Sequence, residues 1–151
     1  MLNSMDSTFS FSLPTEAQWE YACRAGTNTP FSFCENITPE VVNYDGNYPY
    51  ADGVKGLFRE RTVPVKSMPA NPWGLYEMNG NVWEYCLDTY QKDLGSVACV
   101  DPLNVTGKYA VLRGGSWISH AKHCRSASRR FADSSERNVS FGLRLCLVVT
   151  A

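Results

Sequence analysis

Three side chains in this sequence have the types and spacing of a metal or nucleophile site: His120, His123 and Cys124. Histidines at i and i+3 would share one face of a helix, where a neighbouring thiol could join them on zinc. The cluster offers no carboxylate or evident fourth ligand, and nothing around it marks a helix. The alternative, Cys124 as a nucleophile with His120 or His123 as its base, needs a lowered thiol pKa and an orienting third group. The local sequence supplies neither. A second concentration of chemistry is positive charge. Seven of the 14 basic residues fall between Arg113 and Arg144, opposed locally only by Asp133 and Glu136. Such guanidinium groups either tie a loop-rich segment together through carbonyls and carboxylates, or line a pocket for an anionic group. The six cysteines contain no CxxC pair, which argues against a zinc ribbon or a thioredoxin-like motif. Cys23 and Cys146 are expected to be buried free thiols.

The elements that must position these groups are few. At 151 residues the chain suits one domain with one core. Thr15, behind Leu13-Pro14, is a helix cap, and Gln18 closes a capping box. Trp19, Ala22 and Cys23 then share a face, and Gly26 is placed to end the helix in a left-handed turn. A further helix is suggested at Met1 to Met5. From Thr27 to Pro72 the sequence follows neither a helical nor an alternating period. Irregular stretches of that length are usually functional or ordered by a ligand. Strands are expected at Val82 to Cys86, at Tyr109 to Arg113, and as one buried strand over Gly142 to Val149. Ile118 to Ser140 reads as mostly irregular. Aromatic residues, 13% of the chain, are spread through the loops as anchors. No apolar run approaches the roughly 20 residues that span a membrane. A net charge of −1 argues against a general nucleic-acid binder. The start of the chain has no basic cluster followed by an apolar stretch, so no signal peptide is expected, and nothing in the sequence fixes a compartment.

Four blocks carry a family resemblance. They are Leu13-Pro14-Thr15-Glu16-Ala17-Gln18-Trp19-Glu20-Tyr21-Ala22, Asn71-Pro72-Trp73-Gly74-Leu75-Tyr76-Glu77-Met78, Asn79-Gly80-Asn81-Val82-Trp83-Glu84 and Arg113-Gly114-Gly115-Ser116-Trp117, with Gly142-Leu143-Arg144-Leu145 near the end. In this order they resemble the sulfatase-modifying-factor domain, the family of formylglycine-generating enzyme, shared by sulfoxide synthases and pyoverdine-maturation proteins. The resemblance implies an α+β, C-type-lectin-like fold, loop-rich, as a single partial domain over residues 1–151. The family's N-terminal part is expected to be missing, since Met1 falls where an earlier helix would be under way. Another segment or chain would then complete the fold.

The same resemblance sets the functional expectations. The family's oxidase is similar to a copper-thiolate enzyme, with two cysteines shortly after Gly-Gly-Ser. Here Ser119 stands at the first. Cys124 matches the second when counted from Gly-Gly-Ser, and neither remains when counted back from Gly142. A serine cannot replace a copper thiolate, so copper is not expected. Iron is not expected either, because the sulfoxide synthases take their ligands mainly from another domain. Ser116 and Trp83 match positions of the family's active-site cleft; their alternative roles are a turn residue and a core residue. Calcium is implied at Glu77, Gly80, Val82 and Glu84, two carboxylates and two carbonyls of the hard kind that ion prefers. The alternative is that both glutamates are surface or capping groups. A second family calcium site looks damaged, with Asn43 and Tyr44 kept but Leu57 in place of an aspartate.

Two functions compete. One is a non-catalytic module that binds a protein or small-molecule ligand on the 117–140 surface. The variable proteins of diversity-generating retroelements have a similar tail, and Ile118, Ser119, His120, His123, Phe131 and Val139 would be the changeable positions. The other is a formylglycine-generating or sulfoxide-synthase-like oxidoreductase, or its truncated, inactive relic.

Overall fold

A computed structural model describes residues 9–149. The suggested helix at Met1 to Met5 lies outside the described residues. Helix α1, Glu16–Arg24, starts as its sequence dictates. Thr15 Oγ1 accepts from the Gln18 N–H at 3.2 Å, and the Gln18 side chain accepts from the Thr15 N–H at 3.0 Å. Trp19 and Cys23 are buried on one face. The left-handed turn begins one residue before the expected glycine, at Ala25 (φ 47°), and continues through Gly26 (φ 87°). Ala25 is itself buried.

Six strands follow two patterns of pairing: β1 Phe9–Ser12, β2 Trp83–Thr89, β3 Tyr109–Arg113, β4 Arg129–Asp133, β5 Phe141–Leu143 and β6 Cys146–Val149. One sheet has the order β4-β3-β2-β5, antiparallel except for the parallel β2–β5 pair. The other is the antiparallel pair β1–β6, with Ser12 opposite Cys146. The expected strand at Tyr109 to Arg113 forms with those bounds, and the one at Val82 to Cys86 forms as β2, which starts at Trp83 and runs on to Thr89.

Two expectations need correction. Gly142 to Val149 is not one buried strand. It divides between the two sheets, because Arg144 turns its guanidinium onto Glu84 and the Tyr76 carbonyl and pins the chain between them. Leu143, Leu145 and Leu147 are 61%, 45% and 55% exposed, so burial does not describe this run. Cys146 is accordingly half-buried, whereas Cys23 is fully buried. Ile118 to Ser140 is mostly irregular, as expected, with two regular pieces. It holds a 3₁₀ turn, Ala121–Cys124, and strand β4, whose five residues pair with all of β3. Arg-Arg-Phe-Ala-Asp has no apolar alternation, so only its neighbour makes it a strand.

The long stretch from Thr27 to Pro72 is irregular, as expected. Its aromatic residues hold it: Phe31 and Tyr44 are fully buried with Ile37, Val42, Ala121 and Cys124. A second core group, Trp19, Cys23, Met78, Cys86 and Val111, packs α1 on the sheet. Trp83, Leu112 and Ala132 form a third.

The basic segment is largely consumed by the scaffold. Arg113 is fully buried and meets Glu16 at 3.2 Å as well as Glu20. Arg129 binds both oxygens of Glu16, at 2.6 and 2.7 Å. Arg144 binds both oxygens of Glu84, at 3.0 and 2.8 Å. The carboxylates missing from the local sequence come from α1 and β2, and they tie the helix to β3 and β4. A bidentate guanidinium–carboxylate pair is strong and directional, so this network fixes where the sheet ends.

Candidate functional site

Gly114 and Gly115 set the geometry at the end of β3. Both have positive φ, 94° and 77°. A Cβ on Gly115 would stand 2.6 Å from the Cys124 sulfur, which no side chain can do. The turn they make places Ser116 and Ser119 together. Their hydroxyl oxygens are 3.0 Å apart, and Ser119 Oγ also accepts from the Ser116 N–H at 3.1 Å. Loop 79–82 clasps the turn: the Gly80 N–H donates to the Gly114 carbonyl at 2.7 Å, and the Trp117 N–H to the Asn81 carbonyl at 2.9 Å.

Beside this turn lies a pocket of about 370 Å³. One wall is Ile118, Ser119, His120 and His123. The other is Trp83 with Arg129 and Arg130. Trp83 is 3% exposed, packed in the core, and also lines this pocket. Its indole N–H finds no acceptor among the described residues. Ser116, fully buried, is the turn residue and does not reach the pocket wall. Phe131 and Val139 stand apart. Phe131 packs with Tyr90 and Tyr109 at ring distances of 4.7 and 5.2 Å, and strand alternation puts it on the face opposite Ala132. Val139 is solvent-exposed, and its carbonyl accepts from the Trp117 indole.

The histidine–cysteine cluster does not assemble. Cys124 is fully buried in the core group of Phe31 and Tyr44, and burial pushes its thiol up to about 12. His120 stacks on Tyr48 at 3.8 Å, and its ring is 6.1 Å from that of His123. His123 is held below the ordinary histidine range, by burial first and then by Lys122, His120, Arg125 and Arg130. No group of three or more histidine, cysteine, aspartate or glutamate residues is placed to hold a metal among the described residues. Of the two positions compared with copper thiolates, Ser119 is hydrogen-bonded to Ser116, and Cys124 is buried.

Arg129 and Arg130 are the pocket residues that sequence reasoning missed. Their pairing in a basic segment was visible, but nothing in it marked the strand that presents them. Arg129 is committed to Glu16 and to the Gln91 carbonyl. The Arg130 guanidinium lies 5.6 Å from the Trp83 ring centroid and 5.1 Å from that of Phe141. Arg130 has no carboxylate within ion-pairing distance among the described residues.

The calcium positions lie elsewhere. Glu77, Val82 and Glu84 share a cleft of about 440 Å³ with Lys66 and Arg144. The Glu77 carboxylate accepts from two backbone N–H groups, of Lys66 at 3.0 Å and Met68 at 3.1 Å. Glu84 accepts from Arg144 twice and from the Trp19 indole at 2.7 Å. The donors are oxygens of the kind calcium takes, but both Glu84 oxygens are already bound by Arg144 and Gly80 does not line this cleft, so of the four positions Glu77 is the carboxylate without a cationic partner among the described ion pairs. At the second, damaged position, Asn43 is buried and donates to the Arg61 carbonyl and to Asn81, while Leu57 is 57% exposed and has no side-chain oxygen to give.

The family model of the sulfatase-modifying factor enzyme 1-like domain matches residues 3–149. Formylglycine-generating enzyme of Bos taurus is 34% identical over 140 residues, covering 85% of this chain and 37% of that protein. Serine/threonine-protein kinase pkn1 of Chlamydia caviae is 36% identical over 137 residues, 87% of this chain and 20% of the kinase. Among solved structures, Treponema denticola variable protein 1 matches with a TM-score of 0.77 and 31% identity, over 93% of this chain and 48% of its own. PvdO from Pseudomonas aeruginosa matches with a TM-score of 0.79 and 25% identity, over 99% of this chain and 56% of its own. The chain thus spans less than half the length of the curated relatives it matches. The mixed helix, sheet and loop architecture is that of the formylglycine-generating-enzyme fold. No helix among the described residues is long and apolar enough to cross a membrane.

Proposed function

The chain belongs to the family of the sulfatase-modifying factor enzyme 1-like domain, and from that premise we propose that it is a non-catalytic ligand-binding module on that scaffold. The observation that carries the proposal is the Ser116–Ser119 hydroxyl pair beside a fully buried Cys124. Two soft thiolates are what Cu(I) chemistry of this fold would need, and a hydroxyl with the pKa of serine does not supply one at neutral pH. What remains is a pocket whose wall is made of Ile118, Ser119, His120 and His123. Four of the six positions expected to be changeable therefore face one cavity. Likeness to a protein named for its variability favours the same reading, a fixed scaffold with exchangeable surface residues. The ligand, small molecule or protein, is taken on this side of the 117–140 surface.

Calcium has a structural part in the proposal. Glu77, Gly80, Val82 and Glu84 would hold it, Glu84 exchanging its Arg144 contacts for the ion, and it would tie loop 77–84 to the chain that Glu77 already anchors at Lys66 and Met68.

The test has two readouts. Incubation with Cu(I), dioxygen and a cysteine-containing peptide should yield no aldehyde, read by hydrazide capture and mass spectrometry. A fragment screen by NMR should move the indole signal of Trp83. Aldehyde formation above the protein-free control would sink the non-catalytic reading.

A further inference from the structure

We infer that the pocket between Trp83 and the 118–123 segment binds a small carboxylate-bearing molecule, with Arg130 as the residue that grips the carboxylate. The inference deepens the binding-module reading and rests on it. Its first support is donor chemistry. The pocket wall contains no aspartate or glutamate, and it carries His120, His123, Arg129 and Arg130. Arg129 is already neutralised by both oxygens of Glu16, which leaves Arg130 as the guanidinium without an anionic partner among the described residues. Arg130 is exposed at the pocket and rests on the rings of Trp83 and Phe141. These ring contacts hold the guanidinium at the pocket without consuming its N–H groups, which need an acceptor.

A second support is independent of charge. Trp83 is 3% exposed and lines the pocket, and its indole N–H has no surface open to an occupant, so Trp83 offers contact area rather than a hydrogen bond. An apolar group beside the donors, Ile118 at 53% exposure, suits a hydrocarbon or aromatic body. The size follows from a cavity of about 370 Å³, the low end of small-molecule sites. A planar carboxylate matches the parallel N–H pair of one guanidinium fork. The lowered pKa of His123, partly caused by Lys122, His120, Arg125 and Arg130, reports the same positive potential.

The experiment is a ¹⁵N-labelled titration of the 151-residue chain with benzoate, benzamide and phenyl phosphate, following the Trp83 indole N–H. The Trp83→Phe variant assigns that signal among the four tryptophans. Benzoate should shift it, at least tenfold more tightly than benzamide. Arg130→Gln should weaken benzoate about tenfold and leave benzamide unchanged, as expected for loss of one charge-assisted contact. Arg137→Gln, an exposed charge of the same segment, should change neither and controls for net charge. Equal affinity for benzoate and benzamide would overturn the carboxylate inference while leaving a pocket that binds neutral ligands. Tighter phenyl phosphate would also overturn it. No response to any of the three, with no hit from a fragment library, would remove the binding-module reading along with it.

Discussion

The hydroxyl oxygens of Ser116 and Ser119 lie 3.0 Å apart, and Ser119 also receives the Ser116 N–H. Both residues are buried. Ser119→Ala would leave a buried N–H and a buried hydroxyl short of a partner, at a cost of about 1–3 kcal/mol. Urea unfolding should show a lower midpoint with an unchanged slope. A midpoint within error of the parent would mean the pair is not part of what holds the turn.

Glu16 is shared by Arg113 and Arg129. Arg113 is completely buried, so Glu16→Gln removes much of the compensation for a charge that water cannot reach. Breaking such a pair from one side costs about 3–5 kcal/mol, which for a domain of this size lowers the Tm by roughly ten degrees. Calorimetry checks it, with Glu35→Gln, an exposed carboxylate, as the comparison.

Calcium should raise the Tm and a chelator should reverse the rise. A ligand of the native state present at about 100 times its Kd adds about 2.7 kcal/mol. Glu77→Gln should abolish the increment, and it should lower the Tm in chelator only by the loss of one hydrogen bond, since the single amide oxygen can accept from the Lys66 or the Met68 N–H but not from both. Glu84→Gln is a poor test, because it also breaks the Arg144 pair. A calcium response that survives Glu77→Gln would place the ion elsewhere.

The six cysteines are all free thiols in the structure and should separate by reactivity. Cys34 and Cys99 are exposed and should alkylate within minutes at pH 8. Cys146, half-buried, should follow more slowly. Burial pushes Cys23 up to about 11 and Cys124 up to about 12, and Cys86 higher still. These three should react only on unfolding. Mass spectrometry of timed iodoacetamide samples reads the order directly, and early labelling of Cys124 would contradict the buried position on which the non-catalytic reading rests.

His123 ties pH to binding. Its folded pKa is lowered, so the unfolded chain takes up the proton first as pH falls below about 6.5. Its contribution to stability is therefore present above that pH and declines as pH falls through the folded value. A bound carboxylate acts the other way, favouring the protonated ring. Benzoate affinity should rise between pH 7.5 and 5.5, and His123→Gln should flatten the rise. A profile unaffected by that substitution would detach His123 from the pocket.

The sequence by itself determined the family and the helix. Each rests on local chemistry: four ordered motif blocks, and a capping box at Thr15 and Gln18. The irregular course of residues 27–72 was legible for the same reason, since no period ran through it. Only the tertiary structure decided what the arginines do. Arg113, Arg129 and Arg144 find their carboxylates 60 to 113 residues away, and a chain read in order cannot show which charges are already answered. It also decided that His120 and His123 face a pocket while Cys124 faces the core, because a 3₁₀ turn rather than a helix carries them. Strand β4 was invisible for a related reason. Its residues have little strand preference of their own, and it is pairing with β3 that brings Arg130 over Trp83.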